Sequence, residues 1–159
     1  MIWKIIQILI ACIIPNIGGF VGSLFTKTDS YSWYGELNKP AFNPPTWLFF
    51  PAWTILYILM GYASYRVWYI GGGFNGKAKI PLISYIIQLI LNWCWTPIFF
   101  ILMELGWAFV EIVALWVVII ITAILFYRVD KIAGIVFGVP YLAWVTFASI
   151  LNFSLWQLN

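Results

Sequence analysis

The sequence predicts an all-α membrane protein, one domain over residues 1–159, built as a bundle of five transmembrane helices with a proline-rich loop between helices 1 and 2. Two observations carry this. The 159 residues are 64% hydrophobic and 8% charged, against roughly 25% charged in a soluble domain, and one soluble core of this size cannot hide so much apolar surface. A helix that crosses a bilayer needs about 20 mainly apolar residues, and the chain divides into five such stretches with almost nothing left over.

Composition also excludes several classes of function. The net charge of +3, from 8 basic and 5 acidic residues, is small and scattered, with no basic run for a nucleic acid. Cys12 and Cys94 fall inside spans without metal-ligand spacing and read as buried free thiols. The absence of histidine excludes a His-ligated haem, a zinc site and a His-based triad. No metal site and no resident cofactor are expected.

The first span covers 2–25. Lys4 and the apolar run after it imitate a signal peptide, but Pro15 and Gly18-Gly19 stand where a small-residue cleavage site would be, so it reads as a retained helix. Gly18 and Gly22 form a GxxxG pair, and Gly19 with Ser23 repeats the spacing. Such small residues admit another helix closely in lipid, from the same chain or from a second copy. Residues 26–46 form the longest loop, with Lys27, Asp29, Glu36, Lys39 and three prolines. Its Trp33-Tyr34 pair fits an interfacial aromatic belt. The prolines stiffen the backbone around them, and so long a loop in so short a chain reads as a lid over one end of the bundle.

The second span covers 46–68, with Thr46 as N-cap and Pro51 near the start, where a missing N–H does least harm. Trp53, Tyr57, Gly61 and Tyr65 share one helical face, and Gly61 leaves a recess between rings. Arg66 near the far end is expected to snorkel to the headgroups. A glycine-rich turn follows at 70–79. The third span, 81–102, carries Ser84, Gln88, Asn92 and Trp95 as one polar and aromatic stripe, with Pro97 as a kink position beyond it. Uncharged polar groups in lipid face protein, where they either tie helices together or orient a ligand.

The fourth span, 106–127, follows a tight connection around Glu104-Leu105-Gly106 and carries Trp107 and Glu111. An acidic residue inside a span is a functional-site candidate, although Glu111 lies only about 8 Å along the helix and could reach the interface. The fifth span, 132–156, places Trp144, Ala148 and Leu151 on one face. Lys4, Lys77, Lys79, Arg128 and Lys131 share one side of the membrane against Lys27 and Lys39 on the other, which puts the N-terminus in the cytoplasm by the positive-inside rule.

The rings of spans two to five, the stripe of span three and the stiff loop describe either a packed aromatic core or an apolar pocket oriented by a few polar groups. The run WYGELNKPAFNPPTWLFFPAWTILYILMGYASYRVW from Trp33 to Trp68 decides in favour of the pocket. It closely resembles the signature of the translocator protein family, the tryptophan-rich sensory proteins also called peripheral-type benzodiazepine receptors. Further matches are NIGGFVGS from Asn16 to Ser23, LNWCWTPIFF from Leu91 to Phe100, GWA from Gly106 to Ala108 and PYLAW from Pro140 to Trp144. The resemblance covers the whole chain and looks nearest the animal branch.

It implies a five-helix protein, often a homodimer in the lipid bilayer, that binds porphyrins such as protoporphyrin IX and haem-type tetrapyrroles, sterols such as cholesterol, and synthetic benzodiazepine-receptor ligands. Animal members sit in the mitochondrial outer membrane and bacterial members in the cell envelope. The family's pocket falls here on Trp53, Asn92, Trp95, Trp107, Trp144, Ala148 and Leu151, completed by Ser23, Thr26, Tyr34 and Pro44. Glu111 joins them as an intramembrane acid. Two functions follow: a receptor or transport-type binder, or a light-dependent porphyrin-degrading enzyme in which Trp53 and Trp144 supply electrons. One departure bears on sterols. The family's cholesterol motif needs a tyrosine followed by a basic residue, and Leu151 to Gln157 contains neither.

Overall fold

Hydrophobic stretches of this length have one stable form in lipid, a helix that satisfies its own backbone. The computed structural model describes residues 2–26 and 32–159, with five helices long and apolar enough to cross a membrane. Lys27 and Asp29 lie outside the described residues. The elements are α1 (Ile2–Ser23), a one-turn α2 (Trp33–Glu36), a 3-10 turn (Thr46–Leu48) leading into α3 (Phe49–Gly71), then α4 (Lys79–Phe100), α5 (Leu105–Val129) and α6 (Lys131–Leu158).

The start of the second span differs from expectation. Thr46 opens the 3-10 turn and makes no side-chain cap; the residue before α3 is Leu48. Pro51 is the third residue of α3, inside the turn whose N–H groups have no helical acceptor. Capping chemistry appears elsewhere. Ser32 Oγ accepts from Gly35 N at the start of α2. Asp130, the single residue between α5 and α6, accepts from the Ile132 and Ala133 amides.

The helices form a ring in the order α1, α3, α6, α5, α4, with α5 against α6 the most extensive interface. The GxxxG face of α1 is occupied within the chain: a Cβ on Gly18 would collide with the Trp93 ring, and one on Gly22 would touch Thr96. In turn the α1 backbone at Ala11 and Cys12 rests directly on Gly61, so the recess expected between rings holds a helix. Pro15 is nonetheless the one buried residue of α1.

Two further expectations are corrected. Arg66 does not reach outward; its guanidinium pairs with Asp130 and its Nη1 donates to Tyr62. The guanidinium beside Asp130 holds that carboxyl below the usual carboxylate range. The thiols are not both buried either: Cys94 is exposed on the outer face of α4, and half-buried Cys12 donates to the Ile58 carbonyl. The helix surface facing lipid is as apolar as the interior, so a cysteine fits on either side.

At the loop end of the bundle, Tyr34 is 4% exposed and packs on Phe99 and Phe100. Asn38 and Asn159 exchange hydrogen bonds, Asn38 N to Asn159 Oδ1 at 2.8 Å and Asn159 Nδ2 to Asn38 O at 3.1 Å. The described part of the loop is therefore fastened at its base ring and to the end of α6.

Candidate functional site: an uncharged aromatic cavity

All five spanning helices and Tyr34 of the loop enclose a cavity of about 480 Å³ in the loop-side half of the bundle. No charged side chain lines it. The sequence explains why the space stays open. Rings at helical spacing on α3, α4 and α6 meet edge to face, an arrangement aromatic quadrupoles favour and one that leaves gaps narrower side chains would close. Trp53 stacks on Tyr57 with centroids 5.5 Å apart, and its edge meets Trp144 at 6.4 Å and 86°. Phe49 meets the other side of Trp144 at 6.0 Å.

Behind the aromatic wall runs a buried hydrogen-bond chain. Tyr57 Oη donates to Asn92 Oδ1 at 2.6 Å, Asn92 Nδ2 donates to Tyr141 Oη at 2.9 Å, and Tyr141 Oη donates to Gln88 Oε1 at 3.0 Å. The chain ties α3, α4 and α6 together, and its cavity-facing members are Tyr57 and Asn92. Gln88 serves the chain from behind and is a structural tie. A second link joins Trp95 Nε1 to Asn152 Oδ1, whose amide in turn donates to the Leu105 carbonyl. Trp144 differs from these. Its Nε1–H is buried without an acceptor among the described residues, and the residue lines the cavity. A buried donor left unpaired costs about 1–3 kcal/mol, which a ligand acceptor would recover. On the loop side, burial pushes the Tyr34 phenol up while its hydroxyl donates to Asn43 Oδ1, so it stays neutral.

Nine of the residues expected in the pocket line this cavity: Ser23, Thr26, Tyr34, Trp53, Asn92, Trp95, Trp144, Ala148 and Leu151. Three do not. Pro44 is buried in the loop but outside the lining. Trp107 is 68% exposed, on the face of α5 opposite buried Ala108, Ile112 and Leu115, so it meets lipid and supplies no wall. Glu111 also stays outside the lining, and its carboxylate does not reach the interface: both oxygens are buried without a hydrogen-bond partner among the described residues. Sequence reasoning missed Phe20, Phe49, Phe50, Thr96 and the Ile112–Leu115 face. The signal for Thr96 and Phe20 was present, since both lie beside GxxxG positions or their partners. For the others an apolar residue among apolar residues gives no sign of direction.

The comparisons with known proteins agree with this architecture. A sequence profile described as the TspO/MBR family matches residues 11–157. The chain is 43% identical over 145 residues to the translocator protein of Homo sapiens, covering 91% of this chain and 85% of that protein. It is 41% identical over 147 residues to the translocator protein of Bos taurus, at 92% and 86% coverage. A bacterial relative, the tryptophan-rich protein TspO of Chlorobaculum tepidum, is 44% identical over 142 residues, at 89% and 88% coverage. This chain is a multi-pass membrane protein that belongs to the TspO/MBR family.

Proposed function

We propose that the cavity binds flat, largely apolar molecules of the porphyrin class, haem precursors such as protoporphyrin IX among them, and that the protein acts as a membrane receptor or transport-type binder. The observation that supports this most directly is the pairing of an uncharged, ring-lined cavity with the unsatisfied Trp144 Nε1–H. Rings offer flat contact area at low entropy cost, and one buried donor orients a ligand that carries an acceptor. Sterols and synthetic benzodiazepine-receptor ligands share that apolar, flat character and are secondary candidates. The missing tyrosine and basic residue in Leu151–Gln157 place sterols behind porphyrins. The compartment follows from the host: the mitochondrial outer membrane in an animal, the cell envelope in a bacterium. A homodimer would use a surface other than the GxxxG face of α1, which α4 already covers.

A second reading, light-dependent porphyrin degradation, is supported by the contact of Trp53 with both Trp144 and Tyr57, a short path for an electron to a photo-excited ligand. One experiment separates the two. Purified protein is titrated with protoporphyrin IX in the dark by tryptophan quenching and then illuminated while the absorption spectrum is followed. Saturable quenching that weakens about fivefold in Trp144→Phe, the loss of roughly 1 kcal/mol of hydrogen bonding, supports the binder. Protein-dependent conversion to a new absorbing product, abolished in Trp53→Phe, supports the enzyme. Absence of saturable quenching in the wild type refutes both.

A further inference from the structure

We propose that ligands reach the cavity sideways from the bilayer, through a portal between α1 and α3 whose two posts are Phe20 and Phe50. The class of ligand that can use it is a membrane-dissolved amphiphile lying near the interface. Three independent observations lead here.

The first is the pair of rings itself. Phe20 and Phe50 both line the cavity, yet they are 65% and 69% exposed. A side chain that touches an interior space and the exterior at once marks an opening. Phe20 lies three residues before the end of α1 and Phe50 is the second residue of α3. At about 1.5 Å per residue the opening therefore sits within roughly 5 Å of the helix ends, the depth at which a flat molecule with one polar edge concentrates.

The second is how α1 and α3 part. They are pressed together at Gly61, where the α1 backbone would collide with a Cβ, and still touch at Gly19 against Tyr57. Beyond that level the facing residues, Ser23 and Thr26 of α1 with Thr46 and Phe50 of α3, line the cavity. On the outside, an apolar groove along Leu9, Ile13, Ile17 and Ile58 shares Asn16 and Phe20 with the cavity. The groove leads from lipid to the portal.

The third is that the alternative route is fastened. Tyr34 is buried on Phe99 and Phe100, Phe42 packs on Phe147, and Asn38 is bonded to Asn159. The described loop is a fixed cover. By contrast α1 buries one residue only, so displacing its loop-side end disturbs little.

This inference rests on the cavity's geometry and holds whatever ligand the cavity takes, so it is tested without one. In a Cys12→Ala, Cys94→Ala background, Ala148→Cys places a thiol on the cavity wall. Protein in phosphatidylcholine vesicles is exposed to a pyrene maleimide dissolved in the bilayer, or to a sulfonated maleimide confined to water. The expected result is alkylation by the pyrene reagent at least tenfold faster than by the sulfonated one. Phe20→Ala and Phe50→Ala are expected to raise the pyrene rate severalfold and Phe20→Trp to lower it, while Asn38→Ala leaves it unchanged. Comparable rates for the two reagents would overturn the portal, as would acceleration by Asn38→Ala but not by Phe20→Ala. So would failure of both reagents to react. If Ala148→Cys does not fold, Thr96→Cys, also on the cavity wall, carries the same comparison.

Discussion

Replacing Tyr141 by phenylalanine removes one oxygen from a site that is 1% exposed and keeps the ring that meets Trp53 and Phe137. That oxygen makes two of the three bonds in the buried chain, accepting from Asn92 and donating to Gln88. Inside a bilayer a side-chain hydrogen bond is worth about 0.6 kcal/mol on average and up to about 1.7 kcal/mol, so two lost bonds amount to about 1–3 kcal/mol. Gln88 makes the effect non-additive. Its Nε2 already has no partner, and Tyr141→Phe strips its Oε1 as well. Gln88→Leu alone removes the Tyr141 donor bond, and in the double variant only the Asn92 amide is orphaned. The double variant is therefore expected to lie about 1 kcal/mol closer to wild type than the sum of the singles, since one orphaned buried group costs about that much. Unfolding followed by tryptophan fluorescence in lipid nanodiscs measures this, with a midpoint shift of about 2–4 °C per kcal/mol for a chain of this length. Additivity within about 0.5 kcal/mol, or a single-variant loss smaller than that, would refute the chain as a cooperative tie.

Three other outcomes follow from the same structure. Trp107→Ala is expected to leave porphyrin affinity within about twofold, because the ring faces lipid; a titration that finds it weakened tenfold would restore Trp107 to the pocket wall. Glu111→Leu is expected to raise the unfolding midpoint, since removing a buried unpaired polar group recovers about 1–3 kcal/mol; a lower midpoint would reveal a partner for the carboxylate. Asp130 titrates below the usual carboxylate range in the folded protein because of Arg66. Its contribution is therefore complete above that range and lost as pH falls through the depressed value. Asp130→Asn keeps a good helix cap, so it is expected to differ from wild type by up to about 1 kcal/mol at pH 7 and to converge with it in acid. A gap that persists at low pH would assign the effect to capping.

Much of this was legible in the sequence for one reason and hidden for another. Span lengths follow from bilayer thickness, so α1 and α4 to α6 begin and end within a few residues of expectation. The polar stripe on α4 was readable because Gln88 and Asn92 have nowhere else to go in lipid, and both prove fully buried. Direction was not readable for apolar helices. In water an amphipathic pattern marks the inner face, but lipid is as apolar as the core, and a tryptophan suits either. That is why Trp107 was misplaced while Trp144, three residues beyond buried Tyr141 on a helix with polar markers, was not. The Arg66–Asp130 pair spans 64 residues and two different helices, and no local spacing announces it.

The lack of charge around the cavity has a consequence for energetics across the membrane. With no fixed charge in the wall, the protein contributes nothing to the work of moving a bound molecule through the transmembrane voltage. Occupancy by a neutral ligand is then indifferent to membrane potential and to ionic strength. For a carboxylated porphyrin, any voltage dependence is set by the ligand's own ionisation, which makes the pH of the bathing solution, acting on the ligand, the variable that selects what the cavity holds.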